Sequence, residues 1–277
     1  MKQSINDRLT EIYVIVDDYL KAHPQRAQWR RSNNNQPALS DAEVITIALM
    51  QGYFGSSTLA RTYALVQANG GDAFPHLCSY KQWLARLHQL TSLIGQMVEA
   101  ARSDNRGEAI FLLDSKPLPM CLTLRHGRVK LLREDGAHFG KTSKGWFFGF
   151  KLHLLTDLAG SIIGAVLTPG NWTDRDVAPA LAEFVEGGIA IGDLGYRGEE
   201  LAQLLAEQTG LLLLTRADVE ARKSLLASVR ARIETTFSQL WNQFIDRIFS
   251  RSWNGLWNTV KLKMLYFNLL HSGLITS

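Results

Sequence analysis

Cysteine is almost missing from this chain: among 277 residues only Cys78 and Cys121 occur. Two thiols so far apart give neither a disulfide framework nor a zinc knuckle, and a reduced, cytosolic compartment is the expectation. Long apolar runs are missing too. Nothing approaches the ~20 consecutive apolar residues that span a bilayer, and Met1-Lys-Gln-Ser-Ile-Asn-Asp7 lacks the apolar segment of a signal peptide. A soluble, unexported protein with no membrane partner is therefore expected. Neither Pro nor Gly occurs from Ser224 through Ser250, which leaves that stretch without helix breakers. Nor does one sign of charge dominate: the net is +4, with 20% of residues charged and 46% hydrophobic. That balance excludes a disordered polyelectrolyte and allows a packed core.

The distribution of charge says more than its total. Residues 109–150 and 218–277 each carry a net +4, whereas 151–217 carry −5. Positive stretches of this kind fit a polyanionic substrate whose phosphates meet Lys and Arg. The length allows two domains, and the polar cluster Ser103-Asp-Asn-Arg-Gly107 marks the expected boundary between residues 1–107 and 108–277.

The first part reads as helical throughout. Asn6 to Ala22 is amphipathic and ends before Pro24, and a polar breaker runs from Arg31 to Pro37. Ser40-Asp-Ala-Glu43 then has the capping-box pattern in front of an apolar run. Gly52-Tyr-Phe-Gly55 closes that helix, Thr58 to Gln67 forms the next, and Tyr80 to Arg102 a third. The middle pair permits a helix-turn-helix, whose second helix would enter a major groove.

From residue 108 the pattern changes to short apolar or alternating runs. Strands are expected at 109–114, 146–156, 161–168, 188–193 and 211–215, with helices at 173–186, 199–208 and from 224 onward. The order β-β-β-α-β-α-β-α is that of a ribonuclease-H-like mixed sheet. In the last helix Leu225, Val229, Ile233, Phe237, Leu240, Phe244 and Ile248 recur at steps of three and four, which marks one buried face.

Three acids stand out against this frame. Asp114 and Asp193 each close an apolar run, at strand C-terminal ends, where the crevice of an open α/β sheet lies. Glu234 follows Ile233 and so lies about 100° around the helix from the buried face. Carboxylates brought to one point repel unless a divalent cation neutralises them, and an all-oxygen set suits Mg²⁺ or Mn²⁺ better than zinc. Two such ions would clamp the attacking and leaving oxygens of an in-line displacement at a phosphodiester.

Taken in order, several strings carry a resemblance: Leu113-Asp-Ser-Lys-Pro-Leu-Pro-Met-Cys121, Phe148-Gly-Phe-Lys-Leu-His-Leu154, Thr168-Pro-Gly-Asn-Trp-Thr-Asp174, Gly192-Asp-Leu-Gly-Tyr196 and Arg230-Ala-Arg-Ile-Glu-Thr-Thr-Phe-Ser-Gln-Leu240. Together they resemble bacterial insertion-sequence transposases of the DDE type, most closely the insertion sequence 982 family. The resemblance implies Mg²⁺-dependent cleavage at transposon ends to free a 3′ hydroxyl, followed by its attack on target DNA. Asp114, Asp193 and Glu234 fall on the acidic triad that would bind two metal ions. The partners implied are double-stranded DNA, as terminal inverted repeats and target, and a second copy of the chain in a homodimer on that DNA. The helical part would bind the DNA ends, and the location would be the bacterial cytoplasm, at the nucleoid.

DNA backbone contacts are expected from Arg125, Arg128, Lys130, Arg133, Lys141 and Lys144 in the loop after the first strand. Lys151 on the second strand and Arg230 and Arg232 beside Glu234 are further candidates. His153, Asp174 and Tyr196 are candidate supporting residues. The wider group of such transposases often places Tyr and Lys at set offsets around the Glu, where this chain has Ala227 and Trp241. Two alternatives stay open: a hydrolytic nuclease of the same fold, and a transposase-derived DNA-binding protein without catalysis.

Overall fold

The structure is a computed structural model that describes residues 4–24, 37–101, 109–121, 123–128, 130, 132–143, 145–215, 223–242 and 250–276, with the backbone alone for 123 and 223–230. The boundary cluster 103–107, Lys144, the Arg230 side chain and the apolar positions Leu225, Val229, Phe244 and Ile248 lie outside the described residues. The chain divides into two compact units, one of residues 1–101 with 242–277, the other of 102–241.

The described residues of the first unit form helices. They are α1 (Ile5–Ala22), α2 (Asp41–Phe54), α3 (Leu59–Gly70), α4 (Tyr80–Gln89), α5 (Thr91–Ala100) and α9 (Trp253–His271). α2 starts at the capping box, in which Ser40 and Glu43 satisfy each other's backbone N–H groups. It is buried from Asp41 to Gln51 apart from Glu43, so it is the central helix rather than an amphipathic surface one. Trp83 donates from its indole to the Val44 carbonyl at 3.1 Å, and Arg86 pairs with Asp41 at 2.7 Å. The expected third helix is two, α4 and α5, parted at Leu90. There the Thr91 hydroxyl donates to the His88 carbonyl at 2.8 Å, a side-chain bond that competes with the helical ladder.

The C-terminal helix α9 joins this unit, whereas the sequence groups it with the sheet. Asn258 donates to Leu87 O at 3.4 Å and Asn268 to Val98 O at 3.2 Å. Around them Leu256, Val260, Leu262, Leu265 and Leu269 are buried. The placement follows from burial on nearly every side, which a single sheet face does not offer but a helical bundle does.

The second unit is a mixed α/β layer. Its strands are β1 (Ile110–Cys121), β2 (His138–Thr142), β3 (Gly145–Asp157), β4 (Ile162–Pro169), β5 (Gly188–Gly192) and β6 (Leu211–Thr215). The path β2-β3-β1-β5-β6 runs through the sheet, and β4 pairs β3. β3 is antiparallel to β1, β2 and β4, while β1, β5 and β6 are mutually parallel. The helices are α6 (Asp174–Ala182), α7 (Glu199–Thr209) and α8 (Lys223–Asn242). Phe111, Leu113, Leu155, Val177, Leu181, Tyr196 and Leu205 form a core between the sheet and α6 and α7.

Two differences from the sequence reading follow from the length of β3, which pairs with both segments. β1 continues seven residues past Asp114 despite Pro117 and Pro119, and β2 pairs with β3, where the sequence shows only a basic loop. Pro cannot donate to a neighbouring strand and so belongs on an edge. β1 pairs with β5 only over Ile110 to Leu112, so both prolines sit where that side of the strand has no β5 partner.

Candidate active site

Parallel pairing puts the two aspartates level. Leu112 pairs with Ile191, and Asp114 and Asp193 each stand two residues beyond that pair. Asp193 follows the end of β5, but Asp114 lies inside β1 rather than at its end, because β1 goes on pairing with β3 after its pairing with β5 has stopped. Each carboxylate is oriented by a nearby backbone N–H: Ser115 N donates to Asp114 Oδ1 at 2.8 Å, and Gly195 N to Asp193 Oδ1 at 2.7 Å. Asp114 shares a sheet face with Lys116, whereas Ser115 and its antiparallel partner His153 lie on the other.

A third aspartate joins them from α6. Asp174 Oδ1 accepts from the Ser115 hydroxyl at 2.7 Å and from Lys151 Nζ at 3.1 Å, and His153 Nδ1 stands 3.4 Å away. Burial opposes its ionisation, but hydrogen bonds from His153 and Ser115 and the Lys151 charge outweigh it, and the carboxyl titrates at about 2. His153 is fully buried, and its Nε2 lies 2.9 Å from the Thr168 hydroxyl. Burial and then the Lys151 charge push its pKa down against the pull of Asp174. The ring is therefore neutral near pH 7 and locks β3 to β4.

Gly195 shows how close the carboxylates are. A Cβ there would stand 2.8 Å from Asp174 Oδ2 and 2.9 Å from Asp193 Oδ1, closer than any side chain tolerates. Beneath this point Tyr196 is buried with no hydrogen-bond partner for its hydroxyl among the described residues. Burial, then the charges of Asp174, Asp114 and Asp193, raise its pKa well above the usual phenol value. Tyr196 thus stays protonated, its ring packed in the core between the sheet and α6 and α7.

Glu234 is exposed on α8, one residue past buried Ile233. Its helix is held to the sheet by the Thr236 hydroxyl on Gly160 O at 3.1 Å, by Arg232 on Leu158 O at 2.6 Å, and by Lys116 Nζ, 5.1 Å from the ring centres of both Phe237 and Trp241. Among the described residues no three His, Cys, Asp or Glu side chains stand close enough to hold a metal ion as they are. The expected basic residues divide. Arg125, Arg128 and Lys130 are exposed between β1 and β2. Arg133 lies over Phe148 and Lys141 over Trp146, while Lys151 is tied to Asp174.

A family model of the transposase DDE domain matches residues 104–247, just over half of the chain and the stretch that contains all three acids. The chain belongs to the DDE transposase domain family. A curated relative, the coproporphyrin III ferrochelatase of Mycobacteroides abscessus, is 25% identical over 186 residues, which covers 66% of this chain and 49% of the relative. The chain thus spans about half of that protein's length, and at this identity the likeness carries no chemistry across. No solved structure matches. No described helix is long and apolar enough to cross a membrane.

For this DDE domain, sequence reasoning overlooked Ser115, Thr168, Gly195 and Lys116. All four lie inside the strings that carried the resemblance. Their roles depend on which strand faces which, and no spacing reveals that. DDE transposases generally use divalent metals, and the donors present fit a hard cation: Asp114, Asp193 and Glu234 offer only oxygen, and the bare Cα of Gly195 leaves room beside two carboxylates.

Proposed function

We propose that this chain is a DNA transposase, of the insertion sequence 982 kind, whose second unit is a ribonuclease-H-like catalytic domain. It hydrolyses a phosphodiester at insertion-sequence ends and joins the freed 3′ hydroxyl to target DNA. The observation that carries the reading is the level placement of Asp114 and Asp193 on the adjacent parallel strands β1 and β5, with Gly195 bare beside Asp193 and Asp174. Asp114, Asp193 and Glu234 would hold two Mg²⁺ or Mn²⁺ ions, which supply charge neutralisation at the phosphate and an activated water or hydroxyl.

The chain's own residues have separable tasks. Asp174 is a positioning residue: through Ser115 it fixes the stretch of β1 that bears Asp114, and through Lys151 and His153 it ties β3 to α6. Tyr196 keeps its proton at working pH and packs its ring against Gly192, the residue before Asp193, so that it supports the end of β5. The exposed Arg125, Arg128 and Lys130, with Arg133, Lys141, Lys144, Arg230 and Arg232, would meet DNA phosphates. The helical unit would grip the terminal inverted repeats, with α3 presenting exposed Arg61 and Gln67, and two copies would bridge two ends.

Purified protein incubated with a labelled duplex of the insertion-sequence end, a second DNA and Mg²⁺ tests this. End-specific 3′ nicking and strand joining are expected, and both should disappear in Asp114→Asn, Asp193→Asn and Glu234→Gln. Unchanged products in these variants would overturn the site. Nicking without joining would favour a hydrolytic nuclease, and tight end binding with no nicking a DNA-binding protein without catalysis.

A further inference from the structure

A cleft of about 400 Å³, lined in part by Asp174, Lys151 and Gly195, falls within the ~300–1,000 Å³ range of small-ligand sites. Its floor is the contact of β2 with the loop after β4, where Gly140 and Gly170 let the two backbones touch. A Cβ on Gly140 would overlap the Gly170 carbonyl oxygen. Trp146 and Trp172 line the same cleft and are 60% and 46% exposed. Asn171, exposed between cleft and solvent, brings an amide that both donates and accepts. Lys141 lies 5.7 Å from the Trp146 ring centre, on the β2 side.

Two exposed indoles on one cleft, with Lys141 and Lys151, an amide beside them, and Asp174 and Gly195 as the lining nearest the proposed catalytic acids, match one ligand chemistry. Indole faces stack on planar heteroaromatic rings, lysines meet the phosphates on either side of such a ring, and an amide reads its edge. Three other tryptophans, Trp241, Trp253 and Trp257, follow later in the chain. Those are half-buried, Trp241 beside Phe237 and Trp257 beneath Lys261, and none of them lines this cleft. We propose that the cleft takes one unpaired nucleobase of the DNA strand being cut, stacked on Trp146 or Trp172, so that the enzyme prefers ends with an unstacked base over fully paired DNA. This rests on the transposase reading of the adjacent acids. A base inside a duplex must first leave the stack, which costs least where pairing is already broken.

The test compares binding of the full chain, in EDTA so that nothing is cut, to two fluorescein-labelled duplexes of one sequence. One is blunt and the other ends in a short unpaired tail carrying 2-aminopurine. The wild-type protein should bind the tailed duplex more tightly and quench 2-aminopurine. Trp172→Ala and Trp146→Ala should each weaken tailed binding by up to about tenfold and relieve the quenching. Blunt binding, which also reports that each variant is folded, should stay the same, and Trp172→Phe should retain most of the preference. Equal affinity of the wild type for both duplexes, or an equal loss on both in the alanine variants, overturns the proposal. Separate outcomes reach the acids: if Mg²⁺-dependent nicking survives Asp114→Asn while the tail preference holds, the catalytic reading falls and the cleft stands. If nicking obeys the acids but the tail preference ignores both tryptophans, the cleft falls alone.

Discussion

Asp174 accepts from the Ser115 hydroxyl and Lys151 and stands 3.4 Å from His153, and its titration exposes these contacts to measurement. The folded carboxyl titrates at about 2 against 3.8 for an unperturbed one. Because the folded value is the lower, the stabilisation is complete above about pH 4 and is lost as the pH falls through about 2. It amounts to something on the order of 2 kcal/mol. Urea unfolding of the wild type and Asp174→Asn at pH 6 and again near pH 2 should show a gap that closes at the acid end. A gap that persists there would mean that the charge is not what stabilises. Gly195→Ala is the complementary probe. Its Cβ would press on two carboxylates, and Mg²⁺-dependent nicking is expected to fall at least ~10-fold, about 1.4 kcal/mol in the barrier. Its thermal midpoint should move only slightly, since the site is exposed. Asp114 and Asp193 could be picked out from their positions at the ends of apolar runs, and Asp174 from its string. The use of Ser115 and Gly195 could not, because each works through a residue distant in the chain.

Among the elements, α8 decides whether Glu234 can serve the aspartates. Thr236, nearly fully buried, donates to Gly160 O in the turn between β3 and β4. Thr236→Val removes that bond, leaves the carbonyl unpaired, and should cost about 1–3 kcal/mol in urea unfolding. Nicking should fall alongside. Arg232→Ala, whose side chain is exposed although bonded to Leu158 O, should change stability by less than ~0.5 kcal/mol. Equal losses from the two would show that α8 is not held mainly by its buried bond. The helix itself is plain in the sequence from its apolar period, and the alternation of β3 is equally plain. β2 and the second half of β1 are not. Their residues are basic, glycine-containing or proline-containing, and they become strands only because β3 is long enough to pair with them.

On the scale of the whole molecule, the chain leaves its helical unit after α5, builds the sheet, and returns with α9. Leu265 is fully buried in that returning helix, so Leu265→Ala should destabilise the helical unit by ~2–5 kcal/mol. Hydrogen exchange read by mass spectrometry should then show faster exchange in α2 and α5, with β1 and β3 unchanged. A matching loss of protection in the sheet would mean that the two units unfold as one.

Local order explains what could be read directly. Capping boxes, apolar periods and acids that close apolar runs are contained within a few neighbouring residues, so they name most elements, the family strings and three acids. The return of α9 to the helical unit, the ties of Asp174 to Ser115 and Lys151, and the pair of exposed indoles on one cleft depend on contacts between segments far apart in the chain. Such contacts are selected by which burial and pairing satisfy each unit as a whole, and so they exist only in the folded chain.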